Sequence, residues 1–160
     1  MLSKQAKTTL ALFISFDLWL IFDILTKWWA TSPHFQVTRI LGDWFYLTNF
    51  QKNDGIAFSV EVPRFLQIGG SVLILIFLLY FGLKYLRESK QPTFFPAVLL
   101  GAVLAGGVGN LIERILQGYV VDFIVLGSIP VFNIADVGIT LGLIVLFATM
   151  LLEESKNKKP

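Results

Sequence analysis

Cysteine is absent from the 160 residues, and histidine occurs once, at His34. The first absence excludes a disulfide frame, a thiol nucleophile and a thiolate metal site. The second excludes a multi-histidine metal centre. Charged residues make up 15% of the chain, and the net charge of +2 is too small to suggest a nucleic-acid partner. There is no H-E-x-x-H run to build a zinc protease, no low-complexity segment and no internal repeat. Neither a metal nor a cofactor is expected. What fills the chain instead is apolar: 55% of residues are hydrophobic, a composition that points to lipid as the solvent.

Four stretches are long and apolar enough to cross a bilayer, about 20 residues each. They run over about 8–25, 65–83, 94–116 and 132–152. The reading is an all-α integral membrane protein of one domain, residues 1–160, with a β-prone outer loop at about 43–60. The first span follows Lys4 and Lys7 but is too long for a signal-peptide core. No small-x-small site follows it, so it reads as a retained helix. Eight of the 13 basic residues (Lys4, Lys7, Lys84, Arg87, Lys90, Lys156, Lys158, Lys159) fall on one side of this layout. By the positive-inside rule that side is cytoplasmic and holds both termini. Lys27, Arg39, Lys52, Arg64 and Arg114 fall on the other.

The segment after the first span, DWFYLTNFQKNDGIAFSV, shows two β-prone runs around KNDG, with Asp54-Gly55 as a turn signal. Trp28, Trp29 and Trp44 suit the headgroup level. Two readings stand open: an interfacial hairpin, or a platform holding a substrate against the membrane. Gly55 is also a place where the loop could hinge.

Depth then gathers the polar residues. At about 1.5 Å per helical residue, Asp136 lies about 24 Å from Leu152 and Asp23 about 22 Å from Thr8. Both sit towards the outer boundary, where Asn110, Glu113 and Arg114 also lie. Asp122 follows in the outer loop or a short re-entrant turn. An acid at bilayer depth costs several kcal/mol unless it faces protein or water. Plainer readings exist for each: Asp136 as a first-turn acid favoured by the helix dipole, with Asn133 as N-cap, and Asp122 as a solvated loop acid. Asp17, near mid-span, has no evident partner. Small residues in GAVLAGGVGN (101–110), at Gly101/Ala105, Ala102/Gly106 and Ala105/Gly109, with Gly138/Gly142 in the fourth span, favour close helix packing. Such packing would bring Asp122 and Asp136 together.

Two neighbouring carboxylates share a proton near neutrality, because repulsion raises one pKa. One then activates water as general base and the other protonates the carbonyl oxygen or leaving amine. That chemistry hydrolyses a peptide bond without metal or covalent intermediate. Lys27 and Arg114, being cationic, belong in a supporting role and should not touch both acids. Ser59, Ser71 and Ser128 have no evident base beside them, although spacing leaves a Ser–Lys pair with Lys27 open. Asp17, Asp23 and Asp136 also admit another class of function, a proton relay in a small transporter or channel subunit.

Four blocks resemble the lipoprotein signal peptidases (signal peptidase II). DILTK at 23–27 is similar to D-x-x-T-K, NDGIAF at 53–58 to N-x-G-x-A-F, and GGVGNLIER at 106–114 to G-G-x-x-G-N-x-x-D-R. VVDF with FNIAD resembles the block that holds the family's two catalytic aspartates. The blocks come in family order and, with the four spans, cover nearly the whole chain. Position 113 departs from the pattern, with Glu in place of Asp. The resemblance implies a bacterial inner-membrane aspartic endopeptidase whose active site faces the extracytoplasmic side, with a small extracytoplasmic β-platform at about 43–60. It would cut lipidated prolipoproteins just before the modified cysteine. Asp122 and Asp136 would be the catalytic pair. Asp23, Lys27, Asn53, Gly55, Asn110, Arg114 and Asn133 would bind substrate or brace the pair. Membrane lipids are the other expected partner, and a monomer would suffice.

Overall fold

A computed structural model describes residues 3–55, 62–89 and 93–157. Four long helices are present: α1 (Lys4–Ala30), α2 (Arg64–Glu88), α3 (Phe94–Leu116) and α4 (Ile134–Asn157). By length and composition each is able to cross a membrane. The third matches the sequence reading residue for residue. The others run past their apolar cores at one end or both, because backbone hydrogen bonding continues after hydropathy fades. Ser3 caps α1, its hydroxyl accepting from the Ala6 N–H at 3.1 Å.

Between the helices lie β1 (Thr38–Leu41), β2 (Phe45–Asn53), β3 (Val120–Leu126) and β4 (Ile129–Phe132). They form one antiparallel sheet in the order β1-β2-β3-β4. Within the described residues β1 and β2 turn at Gly42, whose φ is 59°, and β3 and β4 turn at Gly127, whose φ is 55°. The second run of the expected hairpin lies outside the described residues, as does Phe58. Asp122 is in neither a loop nor a re-entrant turn but inside β3, paired in register with Gln51 of β2. The platform is therefore built half from the segment before α2 and half from the segment before α4.

Helix α3 is the hub, packed against α1, α4 and α2. Close approach explains its glycines. A Cβ on Gly106 would lie 2.5 Å from the Ala135 carbonyl oxygen of α4. One on Gly109 would lie 2.6 Å from the Asp23 carboxylate of α1. Two apolar cores result. One, among Ala11, Leu12, Ala97, Leu100, Leu104 and Leu146, fills the end of the bundle that carries both termini. The other, Ala30, Val121, Phe123 and Ile124 with Phe45 and Phe132 against them, joins the sheet to the helix ends. At the terminal end Thr8 and Thr93 share a buried hydroxyl hydrogen bond of 2.7 Å. Glu153 of α4 accepts from Tyr85 of α2 at 2.9 Å. These contacts place the start of α1 and the end of α4 at the same end of the molecule, opposite the sheet.

Candidate active site

Between the two cores sits a band of polar side chains from all the elements that end there. Helix α1 supplies Asp23 and Lys27 from its last two turns. Helix α3 supplies Asn110, Glu113 and Arg114. Strands β2 and β3 supply Asn53 and Asp122, and the start of α4 supplies Asn133 and Asp136. Asp23 and Asn133 are 0% exposed, Asp122 2% and Lys27 5%. Buried polar groups at this density must satisfy one another.

Asn133 links the two acids. Its side-chain oxygen accepts from the Asp136 N–H at 3.0 Å, and its own N–H donates to Asp136 Oδ2 at 3.2 Å. This is a reciprocal helix-start motif with Asp at the third position. The Asn133 side-chain amide donates to Asp122 Oδ1 at 2.6 Å. One residue thus fixes the first turn of α4 and ties Asp136 to Asp122. The capping role weighed for Asp136 is real, but it uses only one carboxylate oxygen. The other accepts from Asn110 Nδ2 at 2.8 Å.

Asp122 is held from the sheet as well. Asn53 is opposite Val120, two residues along β3 from Asp122, so both side chains share a face of the sheet. Asn53 Nδ2 donates to Asp122 Oδ2 at 2.8 Å, while Asn53 Oδ1 accepts from the Gly55 N–H at 3.1 Å. Burial pushes the Asp122 carboxyl up to about 6. The amide of Asn53 opposes that shift, the charge of Asp136 adds to it, and Asn133 and Lys27 oppose it. Asp122 is thus no solvated loop acid.

Lys27 stays off both acids. Its ammonium is 2.9 Å from Asp23 Oδ2 and 2.9 Å from Glu113 Oε2, and donates to Asn110 Oδ1 at 2.9 Å. With the Asp136 bond already given, Asn110 relays the cation to the acid. Asp23 Oδ1 accepts from the Ala135 N–H at 2.9 Å, so the same triad clamps the start of α4. Glu113 Oε2 also accepts from the Val121 N–H at 3.2 Å, next to Asp122 in β3. Sequence reading gave Glu113 no geometric role, and the structure makes it a bridge from Lys27 to β3. Arg114 reaches Gly55 O at 3.1 Å and Gln67 Oε1 at 3.3 Å. Gln67 was missed. Its amide donates to Asp54 O and Val62 O at 2.8 and 2.6 Å, holding both ends of the segment between β2 and α2. A lone amide inside an otherwise apolar span was the available signal. Asp17 does not join: it is exposed on α1, whereas Asp23 is buried in its ion pair. The relay of Asp17, Asp23 and Asp136 is not assembled.

The family described as signal peptidase (SPase) II matches residues 16–152. Among curated relatives, the lipoprotein signal peptidase of Caldicellulosiruptor bescii is 37% identical over 148 residues, spanning 88% of this chain and 93% of its own. That of Halalkalibacterium halodurans is 33% identical over 150 residues, with the same coverage of 88% and 93%. That of Staphylococcus aureus is 36% identical over 152 residues, covering 87% and 86%. A solved structure described as a bacterial membrane enzyme superposes with a TM-score of 0.76 at 29% identity, over 91% of this chain and 90% of that one. A second, under the same description, gives 0.70 at 28%.

Proposed function

The chain belongs to the signal peptidase II family, and on that premise we propose that it is an aspartic endopeptidase using Asp122 and Asp136 as its acid–base pair. The observation that carries this reading is the Asn133 bridge. It holds a carboxylate on the sheet and a carboxylate on α4 in one buried network. Burial and the charge of Asp136 raise the Asp122 carboxyl, which disposes Asp122 to carry a proton within the pair. One carboxylate takes a proton from the attacking water and the other gives one to the leaving amine.

The substrate is a prolipoprotein, cut before its lipid-modified cysteine. Both termini of the enzyme are cytoplasmic, as the excess of Lys and Arg at that end favours. The sheet then lies at the outer surface of the bacterial cytoplasmic membrane. There a signal helix and an acylated cysteine would present the scissile bond at the depth of the acids. Two anchors in the bilayer reduce the entropy lost in aligning that bond. One polypeptide contains every residue used, so a monomer suffices. The purified protein is expected to shorten a lipidated precursor by its signal peptide and to leave the unlipidated precursor whole. Equal cutting of both would contradict the substrate assignment.

A further inference from the structure

The one buried residue of helix α2 is an amide. Gln67 is 6% exposed, in the first turn of a helix whose other residues are all partly or fully exposed. A glutamine has two N–H donors and one carbonyl oxygen, and Gln67 uses all three. The donors go to Asp54 O and Val62 O. The oxygen accepts from Arg114 Nε at 3.3 Å. Three residues earlier, on the same face of α2, Arg64 donates to the backbone carbonyls of Arg114 at 3.1 Å and Ile115 at 2.7 Å. The start of α2 thus grips Arg114 by its side chain and by its main chain. Each of the three guanidinium nitrogens of Arg114 donates to a neutral oxygen: Gln67 Oε1, Asn110 O at 3.4 Å and Gly55 O at 3.1 Å. Among the described residues it forms no ion pair. Yet Asp136, Asp122 and Glu113 lie close enough for their charges to act on it. A bond to a carboxylate is the stronger option for a guanidinium, and Arg114 does not take it.

We propose that Gln67 is a positioning residue that keeps the Arg114 guanidinium off the acid pair, so that the pair keeps its shared proton. The catalytic consequence rests on the peptidase reading; the placement of the charge does not. Without the Gln67 oxygen, the Arg114 Nε–H is left in a half-buried site with no acceptor. Turning towards Asp122 or Asp136 removes that cost. A cation closer to a carboxylate favours its charged form, so Asp122 would give up its proton at lower pH. The other charges around the pair among the described residues are already committed. Lys27 of α1 is paired with Asp23 and with Glu113 of α3. Arg64 of α2 is spent on the end of α3. Lys52 of β2 lies over the Tyr119 ring, 4.7 Å from its centroid. Strand β3 and the start of α4 bring only Asp122 and Asp136 themselves. Arg114 is therefore the charge whose position Gln67 decides.

The test compares Gln67→Met and Gln67→Glu in the full chain purified in detergent. Both variants lose the two donors to Asp54 and Val62, and only Gln67→Glu keeps an acceptor for Arg114. The rate of cutting a lipidated precursor is followed against pH. In Gln67→Met the alkaline limb of the profile should move about one unit to lower pH, with turnover above it roughly tenfold down. Gln67→Glu should keep the native limb. An unmoved limb in Gln67→Met, or equal shifts in the two variants, overturns the proposal and leaves Gln67 with the loop ends alone. Should Gln67→Met not melt cooperatively, Gln67→Asn, whose oxygen is drawn back by one methylene, takes its place: a smaller shift in the same direction supports the proposal and none contradicts it. Melting against pH gives a reading without substrate. The stability that Asp122 contributes at low pH is the difference between each protein and its Asp122→Asn counterpart. It should be gone about one pH unit lower in Gln67→Met than in the native protein. A native protein that cuts no precursor defeats the peptidase reading, and the melting shift still decides the placement of Arg114: its absence contradicts the proposal.

Discussion

The two ends of this bundle solve burial in opposite ways. At the terminal end, Leu12, Leu100, Leu104 and Leu146 interlock, and among the described residues the Thr8–Thr93 hydroxyl pair is buried, while the Ser15–Val98 and Tyr85–Glu153 hydrogen bonds are only part-buried. At the sheet end, Asp23, Lys27, Asn110, Asp122 and Asn133 are all buried. Apolar packing gains free energy directly. A buried charge network gains little over an apolar replacement, because desolvation offsets most of the attraction. The sheet end therefore has an energetic reason to exist only if the polar groups do something. The comparison separates a region that holds the fold from one that the fold holds in place.

Breaking one partner of the ion triad should have the largest effect on stability. Lys27→Met leaves Asp23 buried and Glu113 half-buried without their cation, a loss of about 3–5 kcal/mol. Melting in detergent should drop sharply. A second change, Asp23→Asn, should recover part of it, since the remaining charge imbalance is smaller. If the single variant melts like the native protein, the triad is not holding α1 to α3.

At the other end, Leu100→Ala removes a side chain that is 1% exposed and should cost about 2–5 kcal/mol. The folded fraction should nonetheless turn over substrate at the native rate, because the polar band is untouched. A fall in turnover of the folded protein matching the fall in stability would dissolve the distinction between the two ends.

The smallest effect is on pH dependence. Asp122 has its carboxyl raised from 3.8 to about 6, so between those values the folded chain binds the proton that the unfolded chain has lost. Stability attributable to this group must then fall as pH rises from about 4 to about 6, by roughly 3 kcal/mol in total. Asp122→Asn abolishes that slope. Melting curves of the two proteins should diverge at low pH and run parallel above about 7. Parallel curves throughout would mean that Asp122 is not buried as a titrating acid.

How much of this was legible in the sequence differs between the two ends for a physical reason. The spans needed only hydrophobic length, and α3 was read to the residue. Strand β3 was not: VVDFIVL is a continuous apolar run with one acid, and such a run has no period to separate strand from helix or loop. The sheet pairs β2 with β3, with the whole of α2 and α3 between them in sequence, a contact that no local pattern signals. The charged candidates stood out because charge at membrane depth is conspicuous, whereas the supporting roles of Asn53, Gly55, Asn110 and Asn133 came from the resemblance. Their wiring was not found. That Lys27 selects Asn110, Asp23 and Glu113, and leaves both acids alone, depends on three-dimensional spacing. Gln67 was passed over because a neutral amide in an apolar span carries far less expected cost than a charge.

The central claim is that Asp122 and Asp136 act as one unit. Turnover of a lipidated precursor by Asp122→Asn, Asp136→Asn and the double variant measures this directly. The substitutions conserve volume, so each protein should remain folded in detergent. Each single change should cost about 10²–10⁴-fold in rate, and the double change should cost no more than the worse single one, because a pair that has lost either member has lost its chemistry. Losses that multiply in the double variant, or a single variant with native turnover, would show two separate acids and contradict the account.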